Sequence, residues 1–183
     1  MTTNKITKQA KIAEQFQKHF EHYGFKKTSV DDIAAELKMS KKTIYQYFNS
    51  KEKVYYYIVS KVAQQFCNKM AKQLSAVYTS EKKLKILIEL IFKESRKWLK
   101  SNDAFEFKYK YEIAELAFQE AYSQLIKQIM EEGMNHKEFA KQPLDLTVKF
   151  IQGLIAESMK LLHANPLLKV EQPLQQAVLK LVK

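Results

Sequence analysis

Side chains with metal-binding or catalytic chemistry are sparse in these 183 residues, and most stand apart. His19 and His22 lie three positions apart, but no cysteine or carboxylate at metal-ligand spacing completes a site. His136 and His163 stand alone, and each histidine reads as solvated surface. Cys67 is the sole cysteine, so an intramolecular disulfide is excluded; it reads as a small core residue in a reducing compartment. No glycine-rich phosphate loop and no nucleophile elbow occurs, and three glycines supply little material for either. The expectation is a non-enzyme with no metal and no cofactor. One stretch is different. Between Ser40 and Phe48 the chain reads SKKTIYQYF, with lysines, hydroxyls and an amide around only two clearly buriable residues, Ile44 and Phe48. Lys41 and Lys42 can neutralise phosphates or donate to guanine O6 or N7. Thr43 offers a hydroxyl and a methyl group, and Tyr45 and Tyr47 can stack or donate to phosphate. The chemistry is that of binding a polyanion.

The bulk charge agrees. The net charge is +11 and the isoelectric point about 9.5, which suits nucleic acid or an anionic membrane surface. Arg96 is the only arginine, so bidentate reading of guanine is poorly supplied. No apolar run approaches the ~20 residues of a membrane span, and the N-terminus lacks a run of signal-peptide length. A cytoplasmic protein with no membrane partner is expected.

The elements that would position these residues read as helices in series. Three glycines, three prolines and no hairpin signal favour an all-α chain. Ile6, Ala10, Ala13, Phe16 and Phe20 form one stripe on a first helix over 5–23, stopped by Gly24. Ser29, with Asp32 three residues on, resembles a capping box opening a second helix whose apolar face is Val30, Ile33, Ala34 and Leu37. Met39 plugs the following turn, and Ser40 caps a third helix over 41–47. Asn49, with Glu52 three later, opens a long fourth helix with Val54, Ile58, Val62, Phe66, Met70 and Leu74 as its stripe. Further helices follow: one carrying Leu84 to Leu99, one over 114–132 that ends at Gly133, one over 144–163, and a short one over 173–182. An aromatic segment precedes Ala114.

Two short helices joined by a tight turn and backed by a first helix make a helix-turn-helix. Ile44 and Phe48 anchor the third helix from behind and leave Lys41, Lys42, Thr43, Tyr45, Gln46 and Tyr47 on the arc or end that can face a major groove. Ser29 and Lys51 open the flanking helices, where backbone N–H groups suit phosphates. Residues 28–54 resemble the DNA-binding segment of the tetracycline-repressor family. The resemblance is carried by Thr28 and Ser29, Ile33 and Ala34, Met39 and Ser40, then Thr43, Ile44, Tyr45, Tyr47, Phe48 and Lys51. Lys38 stands where the family has a turn glycine, and Lys42 where it has a small residue. The resemblance implies a helix-turn-helix domain over 1–50 and a helical ligand-binding and dimerisation domain over 51–183. It also implies a homodimeric repressor on a palindromic DNA operator, released by a small-molecule effector.

The residues themselves give partial support. The helix over 144–163 is apolar on more than one side, so Val148, Ile151, Gly153, Leu154, Ile155 and Leu162 are expected at a dimer interface; a fully central core helix is the alternative. Trp98, Phe105, Phe107, Tyr109, Tyr111, Phe118 and Tyr122 concentrate aromatics in the middle of the chain. Trp98, Phe118 and Tyr122 are the candidates to line a site for a hydrophobic or aromatic ligand, against the alternative that they are core. Two other classes compete with a sequence-specific regulator: a non-specific architectural DNA binder and a basic membrane- or partner-binding helical protein. The capped recognition helix has no purpose in the latter.

Overall fold

The computed structural model describes residues 2–99 and 104–183, and side chains over 7–97 and 111–183. The described residues form helices throughout: α1 (Thr2–Tyr23), α2 (Val30–Glu36), α3 (Lys41–Tyr47), α4 (Lys51–Leu74), α5 (Ser80–Leu99), α6 (Ala104–Asn135), α7 (Leu144–Ala164) and α8 (Glu171–Val182). The all-α expectation holds, with a three-helix helix-turn-helix followed by a long fourth helix and further helices. None of the helices searched is long and apolar enough to cross a membrane. Contacts divide the chain into two compact units, Met1–Val62 with Phe105–Ala117, and Ala63–Ala104 with Phe118–Lys183.

The first unit is built around Ile12, Ala13, Phe16 and Phe20 of α1, Ile33 and Ala34 of α2, Ile44 of α3, and Phe48 and Val54, all buried together. Gly24, at φ 80°, ends α1 as its position predicts. The chain then turns so that Phe25 stacks near Phe20 and Tyr55, with centroids 5.0 and 5.7 Å away. Burial pushes the Tyr55 hydroxyl up to about 12. Ser29 caps α2, but its Oγ accepts from Asp31 N at 3.1 Å, an i to i+2 bond in place of the reciprocal box with Asp32. Lys38 adopts φ 53° in the turn before α3, so a lysine takes the left-handed conformation that glycine holds most easily. Ser40 caps α3 as expected, accepting from Thr43 N at 3.1 Å. At α4 the cap is Ser50, whose Oγ accepts from Lys53 N at 3.3 Å, and not Asn49.

The stripe along α4 also shifts. A constant step of four residues overshoots the 3.6-residue turn and drifts by about 40° each time. Val62 is accordingly 39% exposed, while Val59, Ala63 and Cys67 are buried. The second unit buries Leu84, Leu87, Ile88, Ile91 and Phe92 of α5 against Leu125, Ile126, Ile129 and Met130 of α6, with inward residues of α7 and α8 closing the core. Gly133 does not stop α6, which runs unbroken from Ala104 to Asn135 and absorbs the expected aromatic segment. Glycine is needed there because a Cβ would lie 2.1 Å from Cδ2 of Phe139, which folds back onto the helix. Lys137, at φ 58°, makes that return, and the N–H groups of Glu138 and Phe139 donate to Gly133 O. α8 begins at Glu171 and tolerates Pro173 in its first turn, where a missing N–H is no loss.

Candidate nucleic-acid interface

The local sequence fixes what α3 presents. Ile44 and Phe48 are buried, four residues apart, and pull one side of the helix into the core. Lys41, Lys42 and Tyr45 are exposed on the remaining arc, with Gln46 beside them. Thr43 is half-buried, and its Oγ1 lies 2.9 Å from Ser40 Oγ, so both hydroxyls sit at the start of the helix. Lys41 Nζ forms an ion pair with the Asp31 carboxylate on α2. The structure thus brings Ser29, Ser40, Lys41, Lys42, Thr43 and Tyr45 to the starts of α2 and α3 and the outer arc of α3. Tyr47 is half-buried and lines a shallow groove of about 330 Å³ with Phe48, Lys53, Tyr56 and Tyr57.

Lys51 is turned inward. Its ammonium donates to the carbonyls of Phe25 at 3.0 Å, Lys26 at 3.2 Å and Thr28 at 2.9 Å, and lies 5.1 Å from the centre of the Phe25 ring. Three donors meet three acceptors, so the side chain clamps the turn between α1 and α2. What Lys51 offers outward is the first turn of α4. His19 also departs from expectation. It is buried, with Nε2 3.0 Å from Glu36 Oε1, and links α1 to the end of α2. Among the described residues no group of three His, Cys, Asp or Glu could hold a metal.

In the second unit, Phe118 lies between Phe66 and Tyr122, with centroids 6.2 and 5.7 Å away. Burial, with Cys67 and Glu94 nearby, pushes the Tyr122 hydroxyl well above its usual range. Burial likewise raises the Cys67 thiol to about 11, leaving it protonated and unreactive. The side chain of Trp98 lies outside the described residues, as do those of Phe105, Phe107 and Tyr109.

α7 requires a correction. Val148, Ile151, Ile155 and Leu162 are buried in the core of their own chain and cannot meet a partner. A helix apolar on two sides has one stripe for each surface, and composition does not say which is which. Gly153 and Leu154 lie on the other side, with Leu146, Phe150 and Leu161, all exposed; nothing lies within 4 Å of a Cβ built on Gly153. The spacing of Leu146, Phe150, Leu154 and Leu161 marks this second stripe in the sequence and could have found it.

A three-helix core that presents a capped, cationic third helix defines a helix-turn-helix DNA-binding protein. Residues 18–58 match the model of bacterial regulatory proteins of the tetR family. No curated protein sequence matches the chain. Several solved structures share the fold. The crystal structure of RolR in complex with the ligand resorcinol is 13% identical, with TM-score 0.73, over 100% of this chain and 90% of that one. Thermus thermophilus FadR, a TetR-family repressor in complex with lauroyl-CoA, is 16% identical, with TM-score 0.69, over 94% and 92%. The regulator FadR from Bacillus subtilis, in complex with stearoyl-CoA, is 21% identical, with TM-score 0.57, over 94% and 96%.

Proposed function

We propose that this protein is a homodimeric repressor that leaves a palindromic operator when a hydrophobic or aromatic small molecule binds its helical C-terminal part. The observation that carries the reading is the division of α3: Ile44 and Phe48 hold it from within while Lys41, Lys42 and Tyr45 stand exposed. Residues 1–50 act as the DNA-binding domain and residues 51–183 as the ligand-binding and dimerisation domain. Ser29, Ser40 and the first turn of α4 at Lys51 serve the phosphates. Lys41, Lys42, Thr43 and Tyr45 face the major groove, with Tyr47 at its edge.

Dimerisation uses the exposed stripe of α7, from Leu146 through Phe150, Gly153 and Leu154 to Leu161. Two such protomers carry their α3 helices to half-sites about one DNA turn or more apart. Trp98, Phe118 and Tyr122 line the effector site. Clustered aromatics, tilted and edge-on to one another, with a buried hydroxyl suit a flat or acyl-chain ligand, and the structural neighbours solved with resorcinol and with acyl-CoA support that class.

Selection of genomic fragments on the purified protein at physiological salt, followed by sequencing, tests the reading. One enriched palindrome is expected, with binding weakened in Lys42→Ala and Tyr45→Ala. Broad recovery without a motif would overturn it in favour of a non-specific architectural binder held by charge alone.

A further inference from the structure

Along α4, Lys53, Tyr56, Tyr57 and Ser60 stand at i, i+3, i+4 and i+7, so one face of the helix carries an ammonium, two aromatic rings and a hydroxyl in that order. This face lines the groove of about 330 Å³ that Tyr47 of α3 and Gln9 of α1 help to form, all within the first unit. We propose that the groove is a second ligand site, separate from the aromatic cluster of the second unit. Its ligand is a small aromatic acid with a hydrogen-bonding group at the far end of the ring, and filling the groove weakens DNA binding. The effect on DNA rests on the DNA-facing reading of α3 given above; the site itself does not.

The lining sets the chemistry. Three tyrosines and Phe48 supply ring surface for a planar molecule. The volume is at the small end of the roughly 300–1,000 Å³ of ligand pockets, which favours a ring over a long acyl chain. Cations stand at the tyrosines: Lys53 Nζ lies 5.9 Å from the centre of Tyr56, and Lys61 Nζ 5.5 Å from that of Tyr57. No carboxylate is among the residues that line the groove, so an anion is matched and a cation repelled. At the other end, Ser60 Oγ is turned away from solvent and makes no hydrogen bond, which is true of no other buried side-chain oxygen or nitrogen among the described residues. No bond holds it there, so rotation about χ1 brings the hydroxyl to a ligand and satisfies it. Lys53 and Ser60 are two turns apart, about 10 Å along the axis. A ring with a carboxylate at one end and a hydroxyl at the other bridges that interval, because the flexible lysine stem closes the remainder. Tyr47 joins the groove to α3. A ligand packed on Tyr47 and paired with Lys53 withdraws both from the DNA edge and sets a carboxylate beside the phosphates, where like charges repel.

The test uses the full chain with para-hydroxybenzoate as the probe. Benzoate removes the probe's hydroxyl, and para-hydroxybenzyl alcohol removes its charge. Each is titrated without DNA by ligand-observed NMR at constant ionic strength. The variants are Lys53→Met and Ser60→Ala, checked for parental thermal unfolding; the second deletes a hydroxyl that makes no bond and so keeps the fold. In the parent, the probe should bind about three- to tenfold tighter than benzoate and up to about fivefold tighter than the alcohol. Ser60→Ala should abolish the first preference and keep the second, and Lys53→Met should do the reverse. With the probe at about ten times its dissociation constant, the operator recovered by selection should bind about tenfold more weakly in fluorescence anisotropy. A parent that does not bind the probe, or preferences that survive in both variants, would overturn the site. The expected preferences with unchanged operator affinity would keep the site and overturn its link to DNA. Selection that recovers no operator would refute the regulator reading and leave the ligand titrations standing.

Discussion

Lys51→Met retains a long apolar stem and removes the ammonium that clamps the turn between α1 and α2. Three carbonyls lose a donor. Lys26 is exposed, so its carbonyl regains water at little cost. Phe25 and Thr28 are buried, and losing a charge-assisted donor there costs about 1–1.5 kcal/mol each. The ammonium over the Phe25 ring adds about 0.5 kcal/mol. The expected loss is about 3 kcal/mol, or roughly 6–12 °C in melting temperature for a chain of this size. Urea unfolding followed by far-ultraviolet circular dichroism measures it, at fixed protein concentration because the proposed dimerisation would raise apparent stability. A loss under about 0.5 kcal/mol, the range of an ordinary surface substitution, would refute the clamp. DNA binding supplies a second readout. A lysine whose ammonium met a phosphate would lower the salt slope by about 0.9 on removal, whereas the clamp leaves the slope unchanged.

Four further outcomes follow from the geometry. Gly133→Ala gains about 1 kcal/mol of helix propensity but drives a methyl into the buried Phe139 ring, for a net loss of about 1–2 kcal/mol; a higher melting temperature would contradict the contact. Bonds from Lys183 and Lys85 hold the Glu81 carboxyl at about 2, below its ordinary 4.5. Its stabilisation is therefore complete above about 4.5 and lost as pH falls toward 2. With the side chain 30% exposed, Glu81→Gln should cost at most about 1 kcal/mol at neutral pH and nothing near pH 2, as read by urea unfolding at both. Ser40→Ala removes the cap of α3 and should cost about 1 kcal/mol with a parallel loss of operator affinity; unchanged stability would show that the cap is replaced. Phe150→Glu places a charge on the exposed stripe of α7 and should convert dimer to monomer in sedimentation; an intact dimer would move the interface elsewhere.

Features set by neighbours in sequence were legible beforehand. The stop at Gly24, the cap at Ser40 and the anchoring pair Ile44 and Phe48 each follow from a rule that spans four residues or fewer. What was not legible depended on distant partners. Gly133 looks like a helix stop until Phe139 folds onto it. Lys51 looks like a phosphate contact until the carbonyls of Phe25 and Thr28, 26 and 23 residues back, appear at its ammonium. The two apolar sides of α7 are indistinguishable in composition, and only packing assigns Ile151 inward and Phe150 outward. The pairing of Asp31 with Lys41 crosses the Lys38 turn, and helical spacing within either element says nothing about it.

Arg96 sits far along the chain from α3. Its guanidinium forks onto the Glu171 carboxylate, with Nε to Oε1 at 3.0 Å and Nη2 to Oε2 at 3.1 Å, and also donates to the carbonyls of Pro166 and Leu168. The chain's only planar, two-pronged donor is therefore occupied in holding α5 to the connection between α7 and α8. The proposed DNA face has single-point ammonium groups, hydroxyls and a methyl, each with less power to reject a wrong base than an arginine on guanine. Information about the binding site must then be gathered thinly over many positions. The expected operator logo is long and shallow, rich in steps that bend or narrow easily, rather than a short block of invariant guanines.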